Sequence, residues 1–259
     1  MVYEYGNAHG RLVIMVHGGP GGHAFNSCDA MAFHNWRIIA FDQRFCGRSK
    51  RVGNHTNRGD VTSPNNTIDD IEAIRKMHCK KNEKIVLFGG SYGGGIALLY
   101  SLVFGQFLDA IILRSPYFFR LSHRQVIESK QRTKHAAWRH SNTFSSRRLR
   151  DNMISNHYGN VPHTEELINA VTRVIKRKGI HCYIIHSTED STCAFEDSYN
   201  LYTRIPGRLC SLFVCRGDQH GVEKNNSMMK LLRRSVNSYS RQKSLNSTAD
   251  SQTDRYHHG

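Results

Sequence analysis

Short apolar runs recur along the chain and are separated by polar or glycine-rich segments. They occupy residues 12–16, 37–41, 85–88, 110–114, 181–186 and 209–215. Runs of this length are typical of buried strands, and the segments between them carry helical or loop patterns. Strands that alternate with helices predict a mainly parallel sheet with helices on both faces. The fold class predicted from this pattern is therefore α/β.

A serine stands in a glycine-rich turn directly after the apolar run at 85–88. The turn reads Gly-Gly-Ser-Tyr-Gly at residues 89–93, and residues 94–100 have a helical pattern. Gly-x-Ser-x-Gly between a strand and a helix is the pattern of a nucleophile elbow, a strained turn that exposes the serine hydroxyl. The sequence therefore predicts Ser91 as a nucleophile.

A second glycine-rich turn, His-Gly-Gly-Pro-Gly-Gly at residues 17–22, follows the first apolar run. Acyl transfer produces an oxyanion that needs two preorganised N–H donors. One donor comes from the residue after the nucleophile, here Tyr92, and the other from a glycine loop after an earlier strand, here Gly18 or Gly19. A phosphate-binding loop and a plain tight turn are the alternatives. The loop lacks the Gly-Lys-Ser/Thr ending of a phosphate-binding loop.

Two further polar groups follow the last two apolar runs. Asp190 lies just beyond the run at 181–186, and His220 lies just beyond the run at 209–215. The chain order Ser91, Asp190, His220 is the order used by α/β-hydrolases. His220 would then act as acid and base, and Asp190 would orient its ring. Glu189 is the alternative to Asp190, whereas Asp218 is too close in sequence to His220 to orient it easily.

Together these segments resemble the prolyl iminopeptidase (prolyl aminopeptidase) family of α/β-hydrolase serine peptidases. Residues 17–22 are similar to its HGGPGG motif, and residues 41–49 to FDQRGCGRS, with Phe45 in place of a glycine. Residues 65–71, 89–93, 186–193 and 217–220 resemble four further family segments, and the resemblance covers residues 2–120 and 180–221. It implies an α/β-hydrolase fold and release of an N-terminal residue, preferably proline, from a peptide.

The resemblance also implies a helical cap whose glutamates hold the free α-amino group of the substrate. The segment at 153–159 resembles one that carries such a glutamate, but Ser155 stands at that position. A hydroxyl cannot replace the charge that pairs with a buried ammonium group. Glu165 and Glu166 are substitute candidates. Their alternative role is in the first turn of a helix that begins after Pro162.

Length and composition fit one α/β domain with a modest cap. The 259 residues are 39% hydrophobic, which is enough to fill a sizeable core. We predict core halves at 1–115 and 180–240, a short basic helical cap at 116–179, and a disordered tail at 241–259. The polar start and the absence of a long apolar stretch predict a cytoplasmic protein without a membrane partner.

The seven cysteines are scattered without paired metal-ligand spacing, so we expect no metal and no cofactor. The formal net charge is +15, and many basic residues lie between Arg114 and Arg150. This charge is compatible with an anionic partner, yet no nucleic-acid-binding motif accompanies it. A solvated basic surface is the prediction that we adopt, and the oligomeric state stays open.

Three function classes remain open on the sequence. The first is a serine aminopeptidase that acts on a peptide, and the second is an esterase-like hydrolase that acts on a small acyl substrate. The third is a binding protein that has the hydrolase fold without the chemistry. The presence of Ser91, Asp190, His220 and the glycine loop together argues for catalysis, because a binding protein needs none of them.

Overall fold

The computed structural model describes residues 1–19, 22–24, 36–49, 64–119, 163–216, 220 and 230–238. Its strands are β1 (Val2–Gly6), β2 (Arg11–Val16), β3 (Trp36–Phe41), β4 (Ile85–Gly90), β5 (Leu108–Arg114), β6 (His181–Ser187) and β7 (Cys210–Cys215). Its helices include α1 (Pro64–His78), α2 (Tyr92–Phe104), α3 (His163–Lys178) and α4 (Phe195–Arg204), and residues 230–238 are also helical. The six predicted strands correspond to β2–β7, with ends that differ by at most two residues.

The seven strands form one sheet in the order β1-β3-β2-β4-β5-β6-β7. All neighbouring pairs are parallel except β1 with β3, which are antiparallel. The predicted α/β class with a mainly parallel sheet is confirmed. Parallel strands need long crossover connections, and helices α1 to α4 lie in the four connections from β3 to β7.

Alternate residues of the strands enter two separate apolar cores. Leu12, Ile14 and Val16 of β2 join the core that also contains side chains of α1, α2, α3 and α4. Val13 and Met15 of the same strand join the other core, which Leu232 and Val236 of the helical segment 230–238 complete. Both faces of the sheet are therefore covered, as the continuous apolar runs predicted.

Helix α3 packs in one of the two apolar cores of the sheet. Its residues Leu167, Val171 and Ile175 are fully buried in the same core as α2 and the sheet. The C-terminal end of the predicted cap segment 116–179 is thus a core helix, while residues 120–162 lie outside the described residues. No helix in the described part of the chain is long and apolar enough to cross a membrane.

The loop after β3 is organised around the buried carboxylate of Asp42. This carboxylate accepts hydrogen bonds from the backbone N–H groups of Ala24 (2.9 Å) and Arg48 (2.8 Å) and from the hydroxyl of Tyr3 (2.9 Å). Burial raises the pKa of Asp42, but these hydrogen bonds outweigh burial and leave the pKa below its ordinary value. Phe45 in this loop has φ 62°, a left-handed conformation that is rare for an aromatic residue.

Candidate active site

The candidate residues lie at one edge of the sheet. Ser91 follows β4, Gly18 and Gly19 follow β2, and Asp190 and His220 come after β6 and β7. Because these four strands are parallel, their carboxyl ends meet at the same edge. Open α/β sheets bind ligands outside this edge. Topology therefore brings the predicted catalytic and oxyanion-binding groups to one side of the molecule.

Ser91 occupies a strained turn between β4 and α2. Its backbone has φ 52° and ψ −122°, and the residue is only 6% exposed. A side chain on Gly89 would collide with the carbonyl of Gly93, and one on Gly93 would collide with the carbonyl of Val16. Glycine is therefore required on both sides of the serine because the backbone passes too closely for a Cβ atom.

Hydrogen bonds hold this turn from both sides. The Ser91 N–H donates to the Arg114 carbonyl at 2.8 Å, and the Ser91 carbonyl accepts from the N–H groups of Gly94 and Tyr117, each at 2.9 Å. Tyr92 is the first residue of α2, and the first N–H groups of a helix have no partner within the helix. The Tyr92 N–H is therefore suited to stabilising negative charge beside Ser91.

The first glycine turn is held by a buried histidine. His17 Nε2 accepts the Gln43 N–H at 3.0 Å, which leaves the proton on Nδ1 to donate to the Gly18 carbonyl at 2.7 Å. The Gln43 side-chain amide also donates to the His17 carbonyl at 2.7 Å. A Cβ atom on Gly18 would lie 3.1 Å from the Cβ of Ser91. The backbone of the predicted oxyanion loop thus runs directly beside the predicted nucleophile.

His220 pairs with Asp190. The distance from His220 Nδ1 to Asp190 Oδ2 is 2.7 Å, and the Asp190 side chain is fully buried. Burial raises the pKa of Asp190, but hydrogen bonds from His186, His220 and the Cys193 backbone outweigh it and place the pKa well below its usual range. Asp190 is therefore a carboxylate. The alternative residue, Glu189, is exposed, and Asp218 lies outside the described residues.

Sequence reasoning missed one member of this cluster, His186. This histidine is fully buried, and its Nε2 lies 3.1 Å from Asp190 Oδ2. The signal available in the sequence was its position at the end of a strand, four residues before Asp190. With 16 histidines in the chain, that signal alone did not distinguish it.

Cys193 links the turn of Asp190 to Ser91, the predicted nucleophile. Its thiol is within hydrogen-bonding reach of the Ser91 side chain, and its backbone N–H donates to Asp190 Oδ1 at 2.9 Å. Burial and the nearby charge of Asp190 raise the pKa of the Cys193 thiol to about 12. Because the thiolate is the nucleophilic form of cysteine, Cys193 is a neutral neighbour of Ser91 and not a competing nucleophile.

Among the described residues, no contact joins the predicted amine-binding residues to the cluster of Ser91, Asp190 and His220. The carboxylate of Glu165 pairs with the guanidinium of Arg204 at 2.7 Å. Glu166 is half-buried, and its Oε2 has no hydrogen-bond partner among the described residues. Both are first-turn residues of α3, as their alternative role predicted. Ser155 lies outside the described residues.

Comparison with known sequences identifies the family of the chain. The sequence model of the alpha/beta hydrolase fold family matches residues 11–158. A putative proline iminopeptidase of Mycoplasma genitalium is 38% identical over 122 residues, which are 46% of this chain and 37% of that protein. The proline iminopeptidase of Saccharolobus solfataricus is 33% identical over 125 residues, covering 46% of this chain and 39% of that protein. The matching part of the chain thus spans less than two fifths of the length of these relatives.

Comparison with solved structures supports the fold. A putative lipase from Acinetobacter baumannii AYE has a TM-score of 0.65 and 14% identity, with 95% of this chain and 88% of that chain covered. A meta-cleavage product hydrolase from Pseudomonas fluorescens IP01 has a TM-score of 0.60 and 18% identity, with 92% and 94% covered. At these identities the likeness concerns the fold alone.

Proposed function

Because the chain belongs to the alpha/beta hydrolase family, we propose that it is a serine hydrolase of the proline iminopeptidase type. In this proposal Ser91 is the nucleophile, His220 the acid and base, and Asp190 the group that orients His220. The observation that carries the proposal is the 2.7 Å contact between His220 Nδ1 and Asp190 Oδ2 at the sheet edge where β4 ends in the strained turn of Ser91.

The reaction would proceed in two acyl-transfer steps. Ser91 Oγ attacks the substrate carbonyl while His220 Nε2 takes its proton, and the resulting imidazolium is stabilised by Asp190. The backbone N–H groups of Tyr92 and of Gly18 or Gly19 stabilise the oxyanion. His220 then protonates the leaving amine, and an acyl-enzyme forms on Ser91. Water, activated by His220, attacks this ester and releases the N-terminal residue with Ser91 restored.

Selectivity for an N-terminal proline is the finer part of the proposal. It is supported by the names of the relatives from Mycoplasma genitalium and Saccharolobus solfataricus, which are proline iminopeptidases by name and are 38% and 33% identical to the matching part of this chain. A free α-amino group needs a carboxylate to pair with it when it is buried. Glu166 is the better candidate, because its Oε2 has no hydrogen-bond partner among the described residues whereas Glu165 is paired with Arg204.

A second candidate is an esterase-like hydrolase without recognition of a free amine. Two observations favour it: Ser155 replaces the glutamate of the family segment, and Glu165 already has a cationic partner in Arg204. In this case the chemistry of Ser91 would be unchanged, and only the acyl group accepted by the site would differ.

The test compares a fluorogenic prolyl amide with its N-acetylated form and with an activated ester. Ser91→Ala is the blank, and Ser101→Ala is the matched control, because Ser101 is a buried serine of α2, the helix that follows Ser91, and its hydroxyl donates to the Leu98 carbonyl. Turnover of the free-amine amide without turnover of its N-acetylated form, reduced at least about 10³-fold in Ser91→Ala, supports the iminopeptidase. Ester turnover without amide turnover supports the esterase. Wild-type protein that turns over none of the three overturns both.

A further inference from the structure

The carboxylate of Asp190 has four hydrogen-bond donors around it. Oδ1 accepts the backbone N–H groups of Thr192 (2.8 Å) and Cys193 (2.9 Å). Oδ2 lies 2.7 Å from His220 Nδ1 and 3.1 Å from His186 Nε2. A carboxylate offers about four lone-pair sites. Every accepting position of Asp190 is thus occupied, and two imidazoles share one oxygen.

We infer that His186 is a positioning residue for catalysis, which fixes the Asp190 carboxylate and shares its Oδ2 with His220. This inference rests on the proposed roles of Asp190 and His220 in acyl transfer. Among the described residues His186 forms no hydrogen bond with Ser91, so its effect passes through Asp190 or through Cys193, whose carbonyl it also faces.

The hydrogen bonds of His186 fix both its tautomer and its ring. Nε2 faces two acceptors, Asp190 Oδ2 and the Cys193 carbonyl, each at 3.1 Å, and must therefore carry a proton. Nδ1 lies 2.8 Å from the buried hydroxyl of Ser198, which can donate to it. The ring also packs edge-on against Phe195, with centroids 5.8 Å apart. His186 therefore presents a fixed N–H to Asp190.

Sharing one oxygen has a direct consequence for His220. Two N–H donors on Oδ2 compete, so His186 weakens the attraction between Asp190 and the imidazolium form of His220. Removing the His186 N–H should strengthen that attraction and move the acidic limb of the kcat/KM profile to higher pH. The loss of one neutral donor corresponds to about half to one pH unit. The carboxylate would also lose one constraint on its rotation, which should lower kcat/KM about tenfold.

Other charged and titratable groups surround the cluster and stay unchanged in the test. They include the Cys193 thiol on the same turn, Asp197 on α4, Arg114 at the end of β5, and the exposed Glu189. Because none of them is altered, a displaced pH profile would report the loss of the His186 donor.

Three variants separate positioning from simple structural support. His186→Phe keeps a ring without an N–H donor, and His186→Gln keeps a side-chain N–H donor. Ser198→Ala keeps His186 but removes the hydroxyl at its Nδ1, so the ring is held less firmly toward Asp190. In His186→Phe we expect the acidic limb of the kcat/KM profile to move to higher pH and kcat/KM to fall about tenfold. In His186→Gln both the limb and kcat/KM should return to the wild-type values. In Ser198→Ala the limb should move in the same direction by a smaller amount. If His186→Phe does not fold, Ser198→Ala decides the question.

The assay uses an activated ester, thermal unfolding, and the NMR resonance of the His220 Nδ1 proton. A lower Tm in His186→Phe, with an unchanged pH profile and an unmoved resonance, overturns the inference and leaves only a packing role. Wild-type protein that hydrolyses no substrate would overturn the proposed function instead. In that case the resonance of the His220 Nδ1 proton alone tests the inference. The inference requires that this resonance moves in His186→Phe and stays in place in the Ser101→Ala control, and any other result overturns it.

Discussion

Phe45 offers a direct test of backbone strain in the loop beside the candidate site. Its φ of 62° lies in the left-handed region, at a position where the related family segment has glycine. Two residues earlier, Gln43 holds the turn of His17 by hydrogen bonds. The perturbation is a pair of variants, Phe45→Gly and Phe45→Ala. Both remove the ring, so their difference reports the cost of a Cβ atom in this conformation.

The expected difference is small but measurable. The left-handed region costs a residue with a Cβ about 1–2 kcal/mol. The greater freedom of glycine in the unfolded chain offsets about 0.5–1 kcal/mol of this. Phe45→Gly should therefore be about 0.5–1 kcal/mol more stable than Phe45→Ala. For a chain of this size the Tm should differ by about 1–4 °C.

The assay is equilibrium unfolding of both variants in denaturant. Their midpoint concentrations can be compared if the free energy of unfolding falls with denaturant at a similar slope in both. Tyr199 supplies the matched control, because it is an aromatic residue that is 51% exposed within helix α4. There the order should reverse, with Tyr199→Ala about 1 kcal/mol more stable than Tyr199→Gly. If Phe45→Ala equals or exceeds Phe45→Gly while the Tyr199 pair behaves normally, the assignment of strain to residue 45 is wrong.

Two further predictions concern pH and a buried hydrogen bond. Burial lowers the pKa of His17 in the folded protein. Between that lowered pKa and about 6.5, the unfolded chain binds more protons than the folded one, so the free energy of unfolding should fall as the pH falls. His17→Gln should flatten this part of the stability–pH curve, and an unchanged slope would contradict the assignment. The Tyr100 hydroxyl donates to buried Glu72 at 2.9 Å, so Tyr100→Phe should cost about 1.5–3 kcal/mol. Ester turnover by folded Tyr100→Phe, measured at a permissive temperature, should equal that of the wild type, because Tyr100 lies eight residues, about 12 Å, along α2 from Tyr92. A loss of turnover in the folded variant would contradict this.

The predictions from sequence succeeded where the signal was local. The apolar run at 181–186 predicted β6, which extends over His181–Ser187, because a strand buried on both faces requires continuous apolar residues. The turn at Ser91 was predictable because its geometry excludes a Cβ atom at Gly89 and Gly93. Glu165 and Glu166 were correctly expected in the first turn of a helix. That this helix packs in the main core was not expected, because such packing depends on the side chains of α2 that meet it.

The sequence by itself determined the α/β class, the strand positions, and the order of Ser91, Asp190 and His220 along the chain. These features follow from hydrophobic periodicity and from steric demands within a few residues. Only the tertiary structure decided the strand order, the pairing of Glu165 with Arg204, and the sharing of Asp190 between His186 and His220. Each of these depends on contacts between segments that are distant in sequence, and no local pattern encodes those contacts.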